Sequence, residues 1–550
     1  MKVTHRYAGQ SSAADGTLSF APDLSRDPTY FVGTLGNTVA FREAISVLHH
    51  VVTHDLRPKP TNKESYFRWL EGQRAELLAE ANTQRERDSA RLTELRSELS
   101  ELRKQEKEVL GTYRKAEQKY FDWLYKVDRA AWYILDPVIA VHPDELSFEC
   151  FSADESVYGR LGVDLEMFQD ISEFQVGVTN IDYSQRLYDA FQQMRSHNRA
   201  ELRVNPEGFT ADVEAGQEIF EAKIDLPDSW MRGFLQVSAA MTLPMSKVRL
   251  HPMDMHNICV RLRARKETHG PRSLRFRLRP GAPVEVVFEP WNEVLACPRS
   301  ICHIEQEDEI RLWGRRRLRI LERMVPVARH FDLYLFGSGM PSFVIADLGP
   351  MRFTLGLSGW TSNDWAQAGH FDLLAPRRRV PSDLGRNILD HLRGNWIGTG
   401  DEIARAIGAD RSDTASSLTA LAQAGRVMFD LDKGFWRLRE LTQDPLSISD
   451  LRFTDDTERL ADRLFAADLV ELDTLTPDHI TGRVTEDGRS HDVSLTLNAD
   501  ERITGGTCTC WHIRQNALRK GPCAHMIALR RAAEARKYSA KLVQFPRGLT

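Results

Sequence analysis

The chain has 550 residues, of which 42% are hydrophobic and 27% charged, and its formal net charge is −5 at pH 7. This length exceeds what one hydrophobic core usually supports, so several domains are expected. The overall charge excludes a generally basic nucleic-acid coat, and any such role must lie in a local patch.

The sequence also predicts a cytoplasmic protein. Its first residues, MKVTHRYAGQ, lack the apolar core of a signal peptide, and the chain has no run of the roughly eighteen apolar residues that indicate a membrane helix. The seven cysteines are unevenly spread, which favours a reducing compartment over a disulfide framework. Thiols in such a compartment are free to bind metal.

A mixed segment over residues 1–60 precedes a predicted long helix over 61–133. Thr61 and Glu64 have the spacing of a capping box, which would start this helix. From Leu92 to Val127 apolar residues recur with heptad spacing, which is typical of a coiled coil. We expect an arm that dimerises or packs on its own protein, as either a rod or a helical hairpin.

The next two segments are predicted to be a β-rich domain over residues 134–295 and an α/β domain over 296–378. Period-two alternation indicates strands within short runs, among them 234–243 and 257–279, and the HPMDMH stretch at 251–256 is expected to be a loop. Residues 307–328 are predicted to form an amphipathic helix whose arginines, Arg315 to Arg319, lie on a solvated face. Two or three strands follow, joined by glycine turns.

Residues 382–440 have the pattern of a winged helix: three short helices and then a hairpin turning at Asp432, Lys433 and Gly434. The presumed recognition helix, 410–425, offers only Arg411 as a cation, which favours protein binding over insertion into a DNA groove. The wing still presents Lys433, Arg437 and Arg439, which can contact a nucleic-acid backbone.

The motif CTCWHIRQNALRKGPCAH, residues 508–525, carries the clearest chemistry of the chain. Side chains two apart on a strand share a face, so Cys508 and Cys510 project together. A turn at Gly521 and Pro522 lets Cys523 and His525 complete a tetrahedron, and three sulfurs with one imidazole nitrogen predict a closed structural Zn²⁺ site. His512 is a spare candidate for the fourth ligand. A cluster of buried thiols or a disulfide is the alternative.

The order C-x-C, twelve residues, C-x-H resembles the SWIM zinc finger, and the strand pair before Cys508 resembles the β-β-α arrangement of that family. The match spans about the last 70 residues of a domain predicted at 446–550. The stretches LYLFGSGMPSF and TLGLSGWTSNDW are similar to a group of bacterial proteins that end in SWIM domains. The resemblance implies zinc binding with DNA or protein recognition. It also implies an association with helicases and AAA+ ATPases, because SWIM domains occur beside helicases and in gene neighbourhoods that encode these ATPases.

Charge is segregated at this end of the chain. From residue 511 to 550 the sequence has nine basic residues and one acidic residue, a net of +8. Such a surface attracts phosphate. The predicted phosphate contacts are Arg514, Arg519, Lys520, Arg530 and Arg531.

Each catalytic or metal-binding motif that the rest of the sequence suggests lacks at least one required residue. His50 and His54 have zincin spacing, but Val51 stands where the general base is needed. Cys297, Cys302 and His303 have no complementary pair nearby in sequence, so buried thiols are favoured. The chain has neither a nucleophile elbow nor a phosphate-binding loop.

Together these patterns predict an α+β multidomain protein that is not an enzyme. The leading hypothesis is a zinc-stabilised module that binds nucleic acid, most simply DNA. The alternative is a protein-interaction adaptor for an AAA+ ATPase or helicase-associated machine, acting through the arm and the winged helix. An enzyme within 134–378 would require a well-formed pocket lined by perturbed carboxylates or histidines.

Overall fold

The computed structural model describes the greater part of the chain outside the predicted arm. The described residues are 12–14, 17–19, 29–53, 137–180, 185–197, 199–205, 208–213, 219–222, 228–265, 272–337, 339–359, 364–366, 371–374, 382–441, 456–498 and 501–544. They belong to one compact unit, which comprises residues 1–54 and 135–550. The capping box at Thr61 and the heptads over 92–127 lie outside the described residues.

The described residues mix helices with several antiparallel sheets, which confirms the predicted mixture of helix and strand. The helices are α1 (Thr38–Val52), α2 (Gln185–Gln192), α3 (Asp228–Ala240), α4 (Pro252–Ala264), α5 (Ser382–Asn395), α6 (Gly400–Ile407), α7 (Arg411–Gln423), α8 (Asp456–Ala466), α9 (Trp511–Asn516) and α10 (Ala524–Gln544). Segments of 3₁₀-helix lie at Leu165–Met167, Arg315–Met324 and Phe371–Leu374. None of the described helices has the length and apolar character needed to cross a bilayer.

The largest sheet has eight antiparallel strands and forms the centre of the fold. In spatial order they are β12 (Ser246–Leu250), β17 (His330–Leu335), β18 (Ser342–Asp347), β19 (Met351–Leu357), β6 (Val157–Asp164), β5 (Glu145–Phe151), β4 (Val138–Val141) and β8 (Gly177–Asn180). All residues of β4 and β5 are buried, so both faces of the sheet are covered there. The sheet combines strands from the segments predicted as 134–295 and 296–378.

Smaller sheets surround it. A five-stranded sheet has the order β11 (Ile219–Ala222), β10 (Gly208–Val213), β9 (Ala200–Asn205), β3 (Tyr30–Leu35) and β7 (Phe168–Gln175). A four-stranded sheet has the order β15 (Glu293–Ile301), β14 (Pro283–Phe288), β13 (Ser273–Leu278) and β16 (Asp308–Trp313). Strands β1 (Ser12–Ala14) and β2 (Thr17–Ser19) form a separate pair. Helix α1 packs on β5 and β6 and buries Phe41, Leu48 and Val51 completely.

Two predicted strands are helices. Residues 234–243 fall largely in α3, and α4 contains most of the predicted loop 251–256 and the first part of the run 257–279, whose last part is strand β13. The Nδ1 atom of His251 caps α4 by accepting a hydrogen bond from the amide of Met253, and Pro252 occupies the first turn, where its missing N–H does no harm. The buried side chains of α4 include Met255, Ile258, Cys259 and Leu262, whose spacing is helical.

The predicted amphipathic helix over 307–328 is also wrong in its first part. Residues 308–313 are strand β16, and Gly314, at φ +67°, ends it in the left-handed region before a 3₁₀ segment begins. Arg315 and Arg317 are 1% and 0% exposed, so they do not lie on a solvated face. The Nη1 atom of Arg315 donates to the carbonyl of Ser273 at 3.1 Å.

Residues 382–441 form three helices, α5 to α7, and a three-stranded sheet. The sheet has the order β20 (Ile397–Gly398), β22 (Phe435–Leu438) and β21 (Val427–Asp430). A core that includes Ile388, Leu418 and Trp436 holds these elements together. Helix α6 begins with a complete capping box, in which Thr399 and Glu402 satisfy each other's backbone amides.

This module packs on the central fold through helix α7, the presumed recognition helix, for which protein binding was predicted over insertion into a DNA groove. Helix α7 packs on α3 as well as on α5 and α6, and its Ser412, Thr414, Ser416, Ser417 and Thr419 are buried. The amide of Phe429 donates to Ser238 Oγ on α3 at 2.9 Å. Helix α7 therefore presents few side chains that a nucleic acid can reach.

The cations of the hairpin β21–β22 and of the residue that follows it are paired with Asp144, which directly precedes β5, and with Glu149 within β5. Arg437, fully buried, donates to both carboxylate oxygens of Asp144, at 2.6 and 3.0 Å. Lys433 Nζ donates to Asp144 at 3.2 Å, and Arg439 Nη1 donates to Glu149 at 2.6 Å. Burial raises the pKa of Asp144, but the hydrogen bond and charge of Arg437 outweigh it and lower that pKa well below its usual range. These three cations stabilise the fold, so the expected backbone contact through the hairpin is not retained.

We predict that Arg439→Met lowers the free energy of unfolding by about 3–5 kcal/mol, because the fully buried Glu149 would lose its closer cation, at 2.6 Å, and keep only Arg160, at 3.7 Å. Urea denaturation measures the change. Arg411→Met in the same module removes an ion pair whose two side chains are about half exposed, and it should lower stability by less than about 1 kcal/mol. Equal effects of the two substitutions would contradict a stabilising role for the buried pair.

Candidate metal centre

The described residues 456–544, here called the Cys/His domain, consist of a four-stranded antiparallel sheet covered by helices α8 and α10. The strands, in spatial and chain order, are β23 (Val470–Leu475), β24 (His479–Glu486), β25 (Arg489–Leu497) and β26 (Ile503–Cys508). A Cβ atom on Gly482 would lie 2.5 Å from Leu529, and one on Gly506 would lie 2.6 Å from Met526. Glycine at these two positions therefore lets α10 approach the sheet closely.

Four side chains of this domain converge where β26 ends and α10 begins. Cys508 is the last residue of β26 and Cys510 directly precedes α9, with the exposed Thr509 pointing away between them, as strand alternation predicts. Cys523 directly precedes α10 and His525 is its second residue. The turn at Gly521, with φ +90°, brings this second pair back to the first.

The geometry of the cluster fits a four-coordinate metal ion. The three Sγ atoms and one imidazole nitrogen all lie within 4.8 Å of one another, and each of the four residues is at most 6% exposed. The distance between Cys508 Sγ and His525 Nδ1 is 3.8 Å. Ligands of a tetrahedral ion with bonds of about 2.0–2.3 Å stand about 3.5–3.8 Å apart. Cys508, Cys510, Cys523 and His525 can therefore hold one ion between them.

A carboxylate fixes the orientation of the imidazole. His525 Nε2 donates to Glu486 Oε2 at 2.9 Å, which leaves Nδ1 facing the sulfur of Cys508. Glu486 ends β24 at the turn through Asp487 and Gly488, both of which have positive φ. A carboxylate behind a histidine ligand sets its tautomer and raises its basicity. Sequence reasoning missed Glu486, because only the hairpin brings it to a histidine 39 residues away.

The charges of the side chains also favour a cation. Hydrogen bonds from the thiols of Cys508 and Cys523 lower the pKa of Cys510, so a thiolate is stable there. Burial lowers the pKa of His525, but the hydrogen bonds with Cys508 and Cys510 outweigh it and raise that pKa to about 10. A bound ion replaces these protons, since its ligands must be thiolates and a neutral imidazole.

The spare candidate, His512, is not part of this ligand group. It lies on α9, and its carbonyl accepts a hydrogen bond from Asn516 Nδ2 at 3.0 Å. The twelve residues between the two ligand pairs contain this short helix, which sequence reasoning did not predict. Helix α9 buries Ile513 and Asn516 against the domain.

The five predicted phosphate contacts divide into two groups. Arg530 is 5% exposed and donates to Glu534 on its own helix and to the carbonyls of Glu501 and Leu374. Arg531 is paired with Asp462 and Glu458 on α8. Their guanidinium groups are therefore bound to the protein itself. Arg514 is exposed, and Arg519 and Lys520 are half-buried.

The remaining predicted candidates lie apart from this site. Cys297 and Cys302 are fully buried, and within the part of the chain that the structure describes they belong to no group of metal ligands. Burial first, and then the charge of Asp254, raise the pKa of Cys297 to about 12. His50 is on α1, and burial lowers its pKa.

A cavity of about 200 Å³ lies where β4 and the residues around β8 face α5 and β22. The described residues that line it are Val141, His142, Gln175, Val176, Gly177, Val178, Arg393, Trp396, Leu438 and Glu440. His142 is 1% exposed, and both of its ring nitrogens lack a hydrogen-bond partner among the described residues. Burial and the charge of Arg437 lower its pKa well below the usual range. This lining contains no Cys, Ser, Thr or Lys that His142 can activate.

No protein-family model and no curated protein matches this chain. Among solved structures it is similar to the Proliferating Cellular Nuclear Antigen of Entamoeba histolytica, at 11% identity over 41% of this chain and 89% of that chain, with a TM-score of 0.31. It is similar to PCNA of A. fulgidus bound to the C-terminal region of FEN-1, at 12% identity over 44% and 97%, with a TM-score of 0.32. PCNA from Thermococcus kodakaraensis gives 10% identity over 44% and 95%, with a TM-score of 0.32. These TM-scores are too low to carry a functional conclusion.

We predict that Cys510→Ser removes the bound metal and unfolds the Cys/His domain alone, because three ligands hold the ion less tightly and the domain depends on it. Elemental analysis should find about one equivalent of a transition metal in the wild type and a large loss in the variant, and limited proteolysis should cut only this domain. Cys259→Ala, which alters a buried thiol outside the group, should retain the metal. Unchanged metal content in Cys510→Ser would contradict the site.

A second prediction concerns the carboxylate behind the histidine. Glu486→Gln should weaken metal affinity by about 10–100-fold, because His525 loses the charged acceptor that orients it. Competition with a chromophoric chelator measures the affinity. Glu471→Gln is the matched control on the neighbouring strand, where the carboxylate is mostly exposed and faces Arg483. A similar affinity for the two variants would show that Glu486 does not act on the ion.

Proposed function

We propose that the chain is a non-catalytic, zinc-binding protein whose Cys/His domain is a SWIM-type module that binds nucleic acid. The observation that carries the proposal is the buried group of Cys508, Cys510, Cys523 and His525, beside which the cationic side chains of Arg514 and Lys520 reach the surface. The β24–β25 hairpin, β26 and α10 provide the strand pair and following helix that the SWIM resemblance implies.

Zinc is the ion that this donor set favours. Three thiolates with one imidazole in tetrahedral array are typical of structural Zn²⁺ sites. Four protein ligands leave no open position for a catalytic water. Zinc in small peptides contributes on the order of 10 kcal/mol to folding at neutral pH, which is enough to hold the interval between Cys510 and Cys523 in one conformation.

The phosphate contacts that we propose are Arg514, Arg519 and Lys520. Arg530 and Arg531 are left out, because a guanidinium that already binds carboxylates and carbonyls would have to break those contacts first. The three retained cations lie in a segment that contains no acidic residue. Phosphate neutralisation by such side chains gives affinity without sequence specificity.

We assign a structural role to the module over 382–441. Its three helices and its hairpin have the order expected of a winged helix. However, helix α7 packs on α3, and the hairpin cations pair with Asp144 and Glu149. Groove reading through these elements would require the module to leave the central fold.

The cavity beside His142 gives no ground for proposing an enzymatic reaction there. Its described lining offers a neutral histidine without a nucleophile to activate. The adaptor role for an AAA+ ATPase or helicase-associated machine relied on the arm, which lies outside the described residues, and on the module whose α7 is docked. Nucleic acid is therefore the ligand that we test first.

Binding of the full chain to a fluorescent duplex, measured against salt concentration, tests the proposal. We expect binding near 50 mM salt that weakens linearly on a logarithmic scale. Arg514→Gln and Lys520→Gln should each reduce the slope by about 0.9, because each removes one phosphate contact. Arg483→Gln is the control, since this exposed arginine on the sheet is near Glu471 and Asp492.

The absence of binding near 50 mM salt, where phosphate contacts are strong, would overturn the nucleic-acid function. Binding with the same salt slope in all four proteins would show that the predicted cations are not the contacts. The adaptor role would then be the remaining hypothesis.

A further inference from the structure

Trp511 has an exposure that the fold does not explain. It is 72% exposed, whereas the next most exposed large hydrophobic side chain of the described residues, Val294, is 49% exposed. Tryptophan is usually well buried, because its ring carries the largest apolar surface of any side chain. An indole held in water beside a buried metal centre indicates a surface that binds something.

The neighbouring side chains show what kind of surface this is. Helix α9 buries Ile513 and Asn516 on one side and exposes Trp511, Arg514 and Gln515 on the other, as expected for positions i, i+3 and i+4. We call these three residues the α9 face. Arg514 forms no ion pair with a carboxylate among the described residues. Its guanidinium is available one turn from the indole.

The backbone presents the α9 face rigidly. The helix starts directly after the ligand Cys510, and at its other end Asn516 Nδ2 donates to the carbonyl of His512 at 3.0 Å. Asn516 and Ile513 are both buried. An aromatic ring on a fixed element loses little conformational entropy when it binds, which favours stacking.

The composition of the α9 face decides between two partner classes. Tryptophan and arginine are also frequent hot spots between proteins, but a protein interface has an apolar core of several residues around them. Here the other exposed residues of the helix are cationic or polar, and no acidic residue lies between Trp511 and Ala533. An exposed indole with a cation one turn away on the same helix matches a base and its phosphate.

We propose that the α9 face binds single-stranded nucleic acid, with Trp511 stacked on one base and Arg514 bound to a neighbouring phosphate. This inference rests on the proposed nucleic-acid function and specifies its substrate class. A duplex stacks its bases on each other and offers an indole no free face except at its ends, whereas a single strand offers every base. The zinc site then holds the stacking ring in place without touching the ligand.

The test compares a fluorescent single-stranded oligothymidine with a duplex of the same length, using the zinc-loaded full chain. Trp511→Ala should weaken single-strand binding by roughly 5- to 150-fold. Its salt slope should stay that of the wild type, because no phosphate contact is removed. Arg514→Gln should do the reverse, reducing the single-strand slope by about 0.7. Trp511→Phe should restore most of the affinity, since a phenyl ring still stacks.

Phe465→Ala is the matched control, since Phe465 is an exposed aromatic residue of the same domain at 37% exposure. It should leave both affinities unchanged. Metal content is measured for every variant, so that loss of the fold is distinguished from loss of the stacking ring.

Three results would overturn the inference. If the wild type binds neither oligonucleotide, the proposed function fails and the inference fails with it. If the wild type binds and Trp511→Ala binds equally well, the nucleic-acid function stands and the exposed indole is assigned to a protein contact. If Trp511→Ala weakens duplex and single-strand binding equally, base stacking is excluded.

Discussion

The convergence of Cys508, Cys510, Cys523 and His525 is the constraint on which the Cys/His domain depends. The last residue of β26, the residue before α9 and the first turn of α10 meet at one point, and their ligand atoms lie within 4.8 Å. Apolar packing also holds α10 on the sheet, because the side chains of Leu529 and Met526 lie close to Gly482 and Gly506. The path of the chain between Cys510 and Cys523, and therefore the position of α9, follows from these two anchors.

Elsewhere, pairing between opposite charges decides which surfaces remain for function. Arg437 and Arg439 are buried against Asp144 and Glu149, and Arg530 is bound to backbone carbonyls and Glu534. Separating a buried cation from its partner leaves the partner's charge buried and uncompensated, which is strongly destabilising. These residues therefore stabilise the fold and are not available to a ligand. Of the five predicted phosphate contacts, Arg530 and Arg531 are bound to the protein itself, whereas Arg514 on α9 is exposed.

The metal ligands and the local elements of the Cys/His domain could be predicted from sequence, because their signals are short in range. Spacing two apart on a strand placed Cys508 beside Cys510, and turn residues placed the second pair. Glu486 could not be found this way, since its contact with His525 depends on the hairpin register. Helices α3 and α4 were predicted as strands, because short apolar runs fit either period until packing selects one face. Arg315 and Arg317 were predicted as solvated, because sequence shows their charge but not the tertiary packing that buries both side chains.

The sequence by itself determined the candidate set of metal ligands, the mixture of helices and antiparallel strands, and the segregation of basic residues after Trp511. Only the tertiary structure decided which of those basic residues remain accessible, that helix α7 and the β21–β22 hairpin face the protein interior, and that the indole of Trp511 faces water. The physical reason is the range of the interactions. Ligand spacing, capping and strand alternation act over a few residues, whereas burial and ion pairing join residues as distant as Asp144 and Arg437 and appear only when the chain is folded.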